Sequence, residues 1–111
     1  MFIRLSLWNL ADSDTTIDDL RRYVRAESVD EFADVPGLRL TAWISDTATE
    51  RWGAIHIWES REAAEQQLPS GLSELIGQGP EIGEEFDVEA TIEGRYGEDE
   101  LSRRGLAPEE F

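Results

Sequence analysis

Hydrophobic and polar positions alternate first over residues 2–8, FIRLSLW. Ile3, Leu5 and Leu7 share one side and Phe2, Arg4, Ser6 and Trp8 the other, the period-two pattern of a half-buried strand. A polar connector, NLADSD, follows over residues 9–14. Thr15 and Thr16 then stand three residues ahead of Asp18 and Asp19, a helix start with acids in the first turn. Ile17, Leu20, Val24 and Phe32 mark a stripe at helical spacing with Tyr23 beside it, and Pro36-Gly37 ends the segment. Residues 38–46 and 52–59 alternate again around the short polar stretch TATER, which predicts a hairpin. Ser60 can cap a short helix over 61–68 that Pro69 stops, and Ser70 can cap a second short turn ending at Gly77. Residues 84–92, EEFDVEATI, read as a fourth strand with Phe86, Val88, Ala90 and Ile92 on its apolar side. Residues 94–111 hold no long period and are expected to form a C-terminal arm or disordered tail, leaving 1–93 as the one domain.

Strand, helix, strand, strand, helix, strand is the split βαβ order. It predicts a ferredoxin-like α+β fold, a four-stranded antiparallel sheet with helices on one face. Centring the hairpin turn between Asp46 and Arg51 sets Trp43 opposite Ala54, Thr41 opposite His56 and Arg39 opposite Trp58. On the other side Ile44 meets Gly53, Ala42 meets Ile55 and Leu40 meets Ile57; a slip of one residue would mix the two sets. One sheet face therefore collects Ile3, Leu5, Leu7 and the hairpin aliphatics, and is expected under the helices. The other collects Arg4, Ser6, His56 and all four tryptophans, Trp8, Trp43, Trp52 and Trp58. Left open, that face is a large apolar patch. A second copy packed sheet against sheet covers it, so a homodimer is expected, with Arg4 or Arg39 paired to Asp87 or Glu89 inside.

Composition narrows the chemistry. The 111 residues, 12.6 kDa, fit a single domain. With 25 acidic and 10 basic residues the net charge is −15, which repels a nucleic-acid duplex or an anionic membrane. There is no Cys and no Lys, and His56 is the one histidine. This excludes disulfides, thiol nucleophiles, cysteine zinc sites, Schiff-base lysines and any multi-histidine metal site within a chain. No metal and no cofactor are expected. No signal peptide or membrane-spanning run is evident, and the protein is expected in the cytoplasm. Three partial motifs fail. Asp12-Ser13-Asp14 opens like a calcium loop, but Ile17 and Tyr23 occupy its Gly and Glu places. Gly77 and Gly79 meet Ile82 where a dinucleotide loop needs glycine, and Gly71-Leu72-Ser73 meets Leu75 where a nucleophile elbow does.

The segment from Pro36 to Glu62 resembles the YdhR-like mono-oxygenase family of the dimeric α+β-barrel superfamily. Pro36-Gly37, Trp43, Gly53-Ala54-Ile55 and Trp58 fill the places of its pattern, and Phe86-Asp87-Val88 matches its last strand. The resemblance spans roughly residues 2–92. It implies a homodimer and a cofactor-independent mono-oxygenase, or an allied cyclase or isomerase, acting on a small hydrophobic, aromatic or polyketide-like molecule. In such barrels the cleft lies between helices and sheet, where Ile55, Ile57, Leu7, Leu40 and Tyr23 would line it.

His56 is the candidate general base, its ordinary pKa lying near neutrality; the competing role is a core histidine bonded to Thr41 or an acid. Trp43, Trp58, Trp8 and Trp52 are candidates for stacking on a flat substrate, against plain packing in a dimer core. Arg39 or Arg4 would stabilise a phenolate or enolate. An axial haem role for His56 is set aside, since a strand histidine beside Trp matches helix-borne ligands poorly. The alternative functional class is a non-catalytic small-ligand-binding or dimeric interaction module.

Overall fold

A computed structural model describes residues 1–66, 68 and 72–96. The strands are β1 (Phe2–Asn9), β2 (Leu38–Asp46), β3 (Arg51–Trp58) and β4 (Ile82–Asp87). The helices are α1 (Ile17–Tyr23), continued by a π-helical turn (Val24–Ser28) into α2 (Val29–Ala33), then α3 (Arg61–Ala64) and α4 (Leu72–Ile76). The strands form one antiparallel sheet in the order β2-β3-β1-β4. The architecture is α+β and compatible with a ferredoxin-like fold.

Local chemistry starts and stops these elements where the sequence suggests. The Thr16 hydroxyl accepts from the Asp19 N–H at 3.1 Å while the Asp19 carboxylate accepts from the Thr16 N–H at 3.0 Å, a reciprocal cap on α1. That backbone bond, more than the Thr16 hydroxyl or Arg22, holds the Asp19 carboxyl below its usual range. Ser60 caps α3 by accepting from the Ala63 N–H at 3.1 Å. Gly37 turns the chain into β2 at φ 78°, and a Cβ there would lie 2.7 Å from that of Ala63.

Three boundaries differ from expectation. α3 ends at Ala64 rather than near residue 68; its proposed stop at Pro69 and the Ser70 cap of the next helix lie outside the described residues. β4 spans Ile82–Asp87 rather than 84–92, because its bonding to β1 ends with the Val88 N–H on the Met1 carbonyl at 2.9 Å. Residues 97–111, the larger part of the expected tail, also lie outside the described residues.

The long helical segment buries Ile17, Leu20, Val24, Ser28 and Phe32. From Leu20 onward the step is always four residues. At about 100° per residue, three such steps would rotate the stripe by roughly 120° on an ideal α-helix. The π turn, wider than an α turn, takes up part of that drift and keeps Val24 and Ser28 facing the sheet.

The expected face assignment is inverted. In β3 the buried side chains are those of Trp52, Ala54, His56 and Trp58, and on the other face only the side-chain-less Gly53 is buried while Ile55 and Ile57 are half-buried. Trp8 and Trp52 pack with Leu10, Ile17, Leu20, Val24, Leu72 and Ile76; Phe2 and Trp58 pack with Ala64. The tryptophan face thus lies beneath the helices. The aliphatic face is the open one, with Leu40 45% and Phe86 54% exposed. Both faces are apolar enough to be covered, so alternation alone cannot rank them. The larger rings fill the gap between the sheet and its small helical layer.

Candidate functional site

The hairpin register is the expected one from Leu40 to Asp46, so Thr41 stands opposite His56. On the other side of β3, Arg4 of β1 is the cross-strand partner of His56, and Glu85 of β4 is that of Arg4. A polar row, Thr41–His56–Arg4–Glu85, therefore crosses the sheet on its helix side. Thr41 Oγ1 lies 3.0 Å from His56 Nδ1. Arg4 donates one terminal N–H to the Ala64 carbonyl at 2.6 Å and sets the other 3.0 Å from Glu85 Oε1. The expected partners Asp87 and Glu89 are displaced from this role by the β4 register; Asp87 instead lies 3.7 Å from Arg61, whose guanidinium covers the Phe2 ring at 4.5 Å.

Aromatic rings pack around His56 in the row. Phe32 stacks on His56 with centroids 5.4 Å apart and planes 6° apart, and meets Trp43 edge-on at 5.3 Å. Trp58 lies 6.2 Å from His56, its plane tilted by 53°. His56 is only 6% exposed. Burial, reinforced by the Arg4 charge, pushes its pKa down to about 4, so the imidazole is neutral at pH 7.

The predicted site residues separate into groups. His56 gathers three of its neighbours, Arg4 across the strand pair, Trp58 at its ring and Phe32 stacked on it, and Trp43 joins through Phe32. Trp8 and Trp52 sit further along the strands in the α1 and α4 cluster, with Tyr23 and Trp43 packed against it. Arg39 is not part of the row. The pairing shifts between Leu38 and Leu40, Leu38 takes the place opposite Trp58, and Arg39 is exposed at the resulting bulge on an edge strand. Of the alternative lining, Tyr23 is on the helix side, while Leu7, Leu40, Ile55 and Ile57 are on the open face. The helix–sheet interface is packed by the tryptophan set, a combination neither sequence reading contained.

Ser28 was missed. It is fully buried, and its hydroxyl has no partner. Its signal was the serine four residues after Val24 and four before Phe32 in an otherwise apolar stripe. Arg4 Nε and the ring N–H groups of Trp8, Trp43, Trp52 and Trp58 are likewise buried without acceptors. Among the described residues, every unpartnered buried side-chain atom can donate a hydrogen bond, and none is acceptor-only. No group of three His, Cys, Asp or Glu side chains is placed to hold a metal ion among them, and no helix among them is long and apolar enough to cross a membrane. A separate open cleft of about 360 Å³ lies at the start of α1, lined by Leu10, Ser13, Thr16, Arg21 and Glu50; none of the predicted site residues reaches it.

In comparisons with known proteins, no family model and no curated protein matches the chain.

Proposed function

We propose that the protein is a homodimeric α+β-barrel enzyme of the YdhR-like mono-oxygenase kind, acting without cofactor on a small hydrophobic, aromatic substrate between helices and sheet. The observation that carries this reading is the Thr41–His56–Arg4 row, with His56 buried between a half-buried Thr41 and a half-buried Arg4 and set beside aromatic rings and unspent hydrogen-bond donors. With Nδ1–H donating to Thr41, Nε2 is the basic nitrogen. It takes the proton from an acidic C–H beside a carbonyl or phenol, and the electron pair moves onto the substrate oxygen. Arg4, whose Nε–H is unspent, and the donors of Ser28, Trp43 and Trp58 stabilise that oxyanion. Arg4 disfavours an imidazolium by itself. An oxyanion between the two cations reverses that effect, so the base is effective only as the substrate ionises. The carbanion then reacts with dioxygen. A CH2 group and O2 give C=O and water, with all electrons from substrate. Cyclisation or isomerisation would use the same enolate without oxygen.

The dimer is proposed through the open face rather than the tryptophan face. Its rows run Leu40–Ile57–Ile3–Phe86, Ala42–Ile55–Leu5–Glu84 and Ile44–Gly53–Leu7–Ile82, with one charged residue in the grid. Gly53 lets the flanking side chains close over it, since a Cβ there would meet Leu7 Cδ2 at 2.5 Å. Such a surface is suited to burial against its own copy.

A second reading, a non-catalytic ligand-binding module, is favoured by the pKa of about 4, which makes His56 a weak base in the free protein. Oxygen uptake with a panel of cyclic 1,3-diketones and polycyclic phenols tests the first. Wild type is expected to consume oxygen, or to exchange the acidic C–H with solvent deuterium, and His56→Phe to lose about 10²- to 10⁴-fold of that rate with its fold intact. Equal rates would remove His56 from the mechanism. Saturable quenching of Trp fluorescence with no turnover across the panel would favour the second reading.

A further inference from the structure

Along each of the two central strands, the helix side is large at both ends and small or polar in the middle. β1 runs Phe2, Arg4, Ser6, Trp8, and β3 runs Trp58, His56, Ala54, Trp52 in the facing register. Phe2 and Trp58 pack in the core that includes Ala64 of α3, and Trp8 and Trp52 in the core of α1 and α4; the two cores share no residue. Between them lie the Thr41–His56–Arg4–Glu85 row and, next to it, Trp43–Ala54–Ser6–Gly83. The second row falls from a tryptophan on β2 to no side chain at all on β4. The two ends of this trough differ. At the β2 end Phe32 stacks on His56 and meets Trp43 edge-on, so aromatic rings occupy the space. At the β4 end Gly83, Glu85 and Asp87 all belong to the helix side and all are exposed. The polar row follows the same direction, with the side chains of Glu85 and Arg4 46% and 30% exposed and His56 6%.

The backbone gives Gly83 no reason to be glycine. Its φ is not positive; among the described glycines only Gly37 and Gly77 stand in that region. No neighbour presses on it. A Cβ there would meet nothing within 4 Å among the described residues, whereas at Gly53 it would meet Leu7 Cδ2 at 2.5 Å. The register of β4 on β1 runs through Gly83 without a bulge. A glycine inside a strand weakens it, and with bulge, bend and close packing set aside the remaining use is close approach of another molecule.

We propose that Gly83 is a specificity-determining residue: its missing side chain is the notch through which an elongated substrate lies along the trough, with its reacting end at His56 and its other end over β4. Two strand spacings, about 10 Å, separate Gly83 from Ala54, a span that three fused rings bridge and a single ring does not. Arg4 stands between β4 and His56 and offers the substrate oxygen its unspent Nε–H on the way in. A side chain at position 83 projects from the helix side of β4 beside Ser6 and shortens the trough from its outer end. The inference rests on the reading of the site given above and adds to it the direction of entry and the residue that sets the length of the substrate.

The full chain tests it, by quenching of its tryptophan fluorescence with duroquinone, a single ring, and with a dihydroxyanthraquinone, three fused rings. Wild type, Gly83→Leu and Gly79→Leu are compared; a Cβ at Gly79 also meets nothing within 4 Å, but Gly79 lies in the loop before β4. Gly83→Leu is expected to melt no lower than wild type and to weaken the three-ring probe by about tenfold or more, while duroquinone changes by less than about twofold. Gly79→Leu is expected to bind both as wild type does. A wild type that neither probe quenches saturably overturns the reading of the site and this inference with it. A wild type that takes duroquinone alone, or a Gly83→Leu variant that takes both probes as wild type does, overturns the inference alone. A Gly83→Leu variant that melts lower and loses both probes equally assigns the glycine to the fold, and likewise overturns the inference alone.

Discussion

Two surfaces of one sheet carry comparable apolar content and meet different fates. On one, Phe2, Trp8, Trp52, Ala54 and Trp58 are buried beneath the helices together with His56. On the other, Leu40, Ile44, Ile82 and Phe86 stand exposed, and Ile55 and Ile57 half-buried. The covered face is the less purely hydrophobic of the two, since it includes Arg4, Ser6, Thr41 and His56. Its advantage is bulk. Aromatic side chains bury about 150–250 Å² each, and one long helical segment with two short ones must fill the space above four strands. The polar groups inside are tolerated where they meet partners, as Arg4 does with Glu85 and Ala64. The unspent donors are the cost of that arrangement, and they are the groups the proposed oxyanion would use.

Neighbouring residues on opposite faces give the largest contrast. Trp58→Ala should destabilise the fold by about 3–5 kcal/mol, the range for emptying a large aromatic site in a core. Ile57→Ala should cost about 1 kcal/mol in dilute solution, where its face is open, and more as concentration rises and a second copy covers it. Urea unfolding at two protein concentrations measures both. Equal costs at low concentration would break the distinction between the faces.

Acid should act through the covered face first. His56 has a folded pKa of about 4, below the roughly 6.5 of an unfolded histidine. Between those values the unfolded chain binds the extra proton, so stability falls as pH is lowered from about 6.5 to about 4, by about 3 kcal/mol in all. His56→Phe should lack this step. The lowered carboxyls of Asp19 and Asp46 lose their contribution only at lower pH, below the ordinary aspartate range. Denaturant midpoints across pH 4–7 for wild type and His56→Phe would separate the two; a step of the same size in both would remove His56 as its source.

Ser28→Ala should have the smallest effect and the opposite sign. Removing an unpartnered buried hydroxyl is expected to stabilise the free protein by about 1 kcal/mol, a melting temperature several degrees higher. If Ser28 serves the proposed oxyanion, the same variant turns over more slowly or binds a quinone or diketone probe less tightly. A fall in stability would show that the hydroxyl is already satisfied in the folded chain.

Local features were legible because local physics sets them. Thr16 and Ser60 cap the helices expected of them, and alternation located all four strands. The Thr41–His56 pairing followed from the length of the polar turn and the two-residue period. Arg39 was misplaced because a bulge adds one residue to a strand without disturbing its apolar alternation. β4 was drawn too long because alternation records which side of a strand is apolar, not where its partner ends. Ser28 was overlooked because the drift of a four-residue stripe is corrected by a π turn that no single residue announces.

By itself, the sequence determined the order of elements, the hairpin register over Leu40–Asp46 and the sorting of side chains into two sheet faces, since these depend on near neighbours and on the alternation of a strand. Only the tertiary structure decided which face the helices cover, and with it whether His56 lies in a core beside Arg4 or at an open surface. That choice depends on how the volumes of Trp8, Trp43, Trp52 and Trp58 fit beneath one particular helical layer, a sum over contacts distant in sequence that no local pattern encodes.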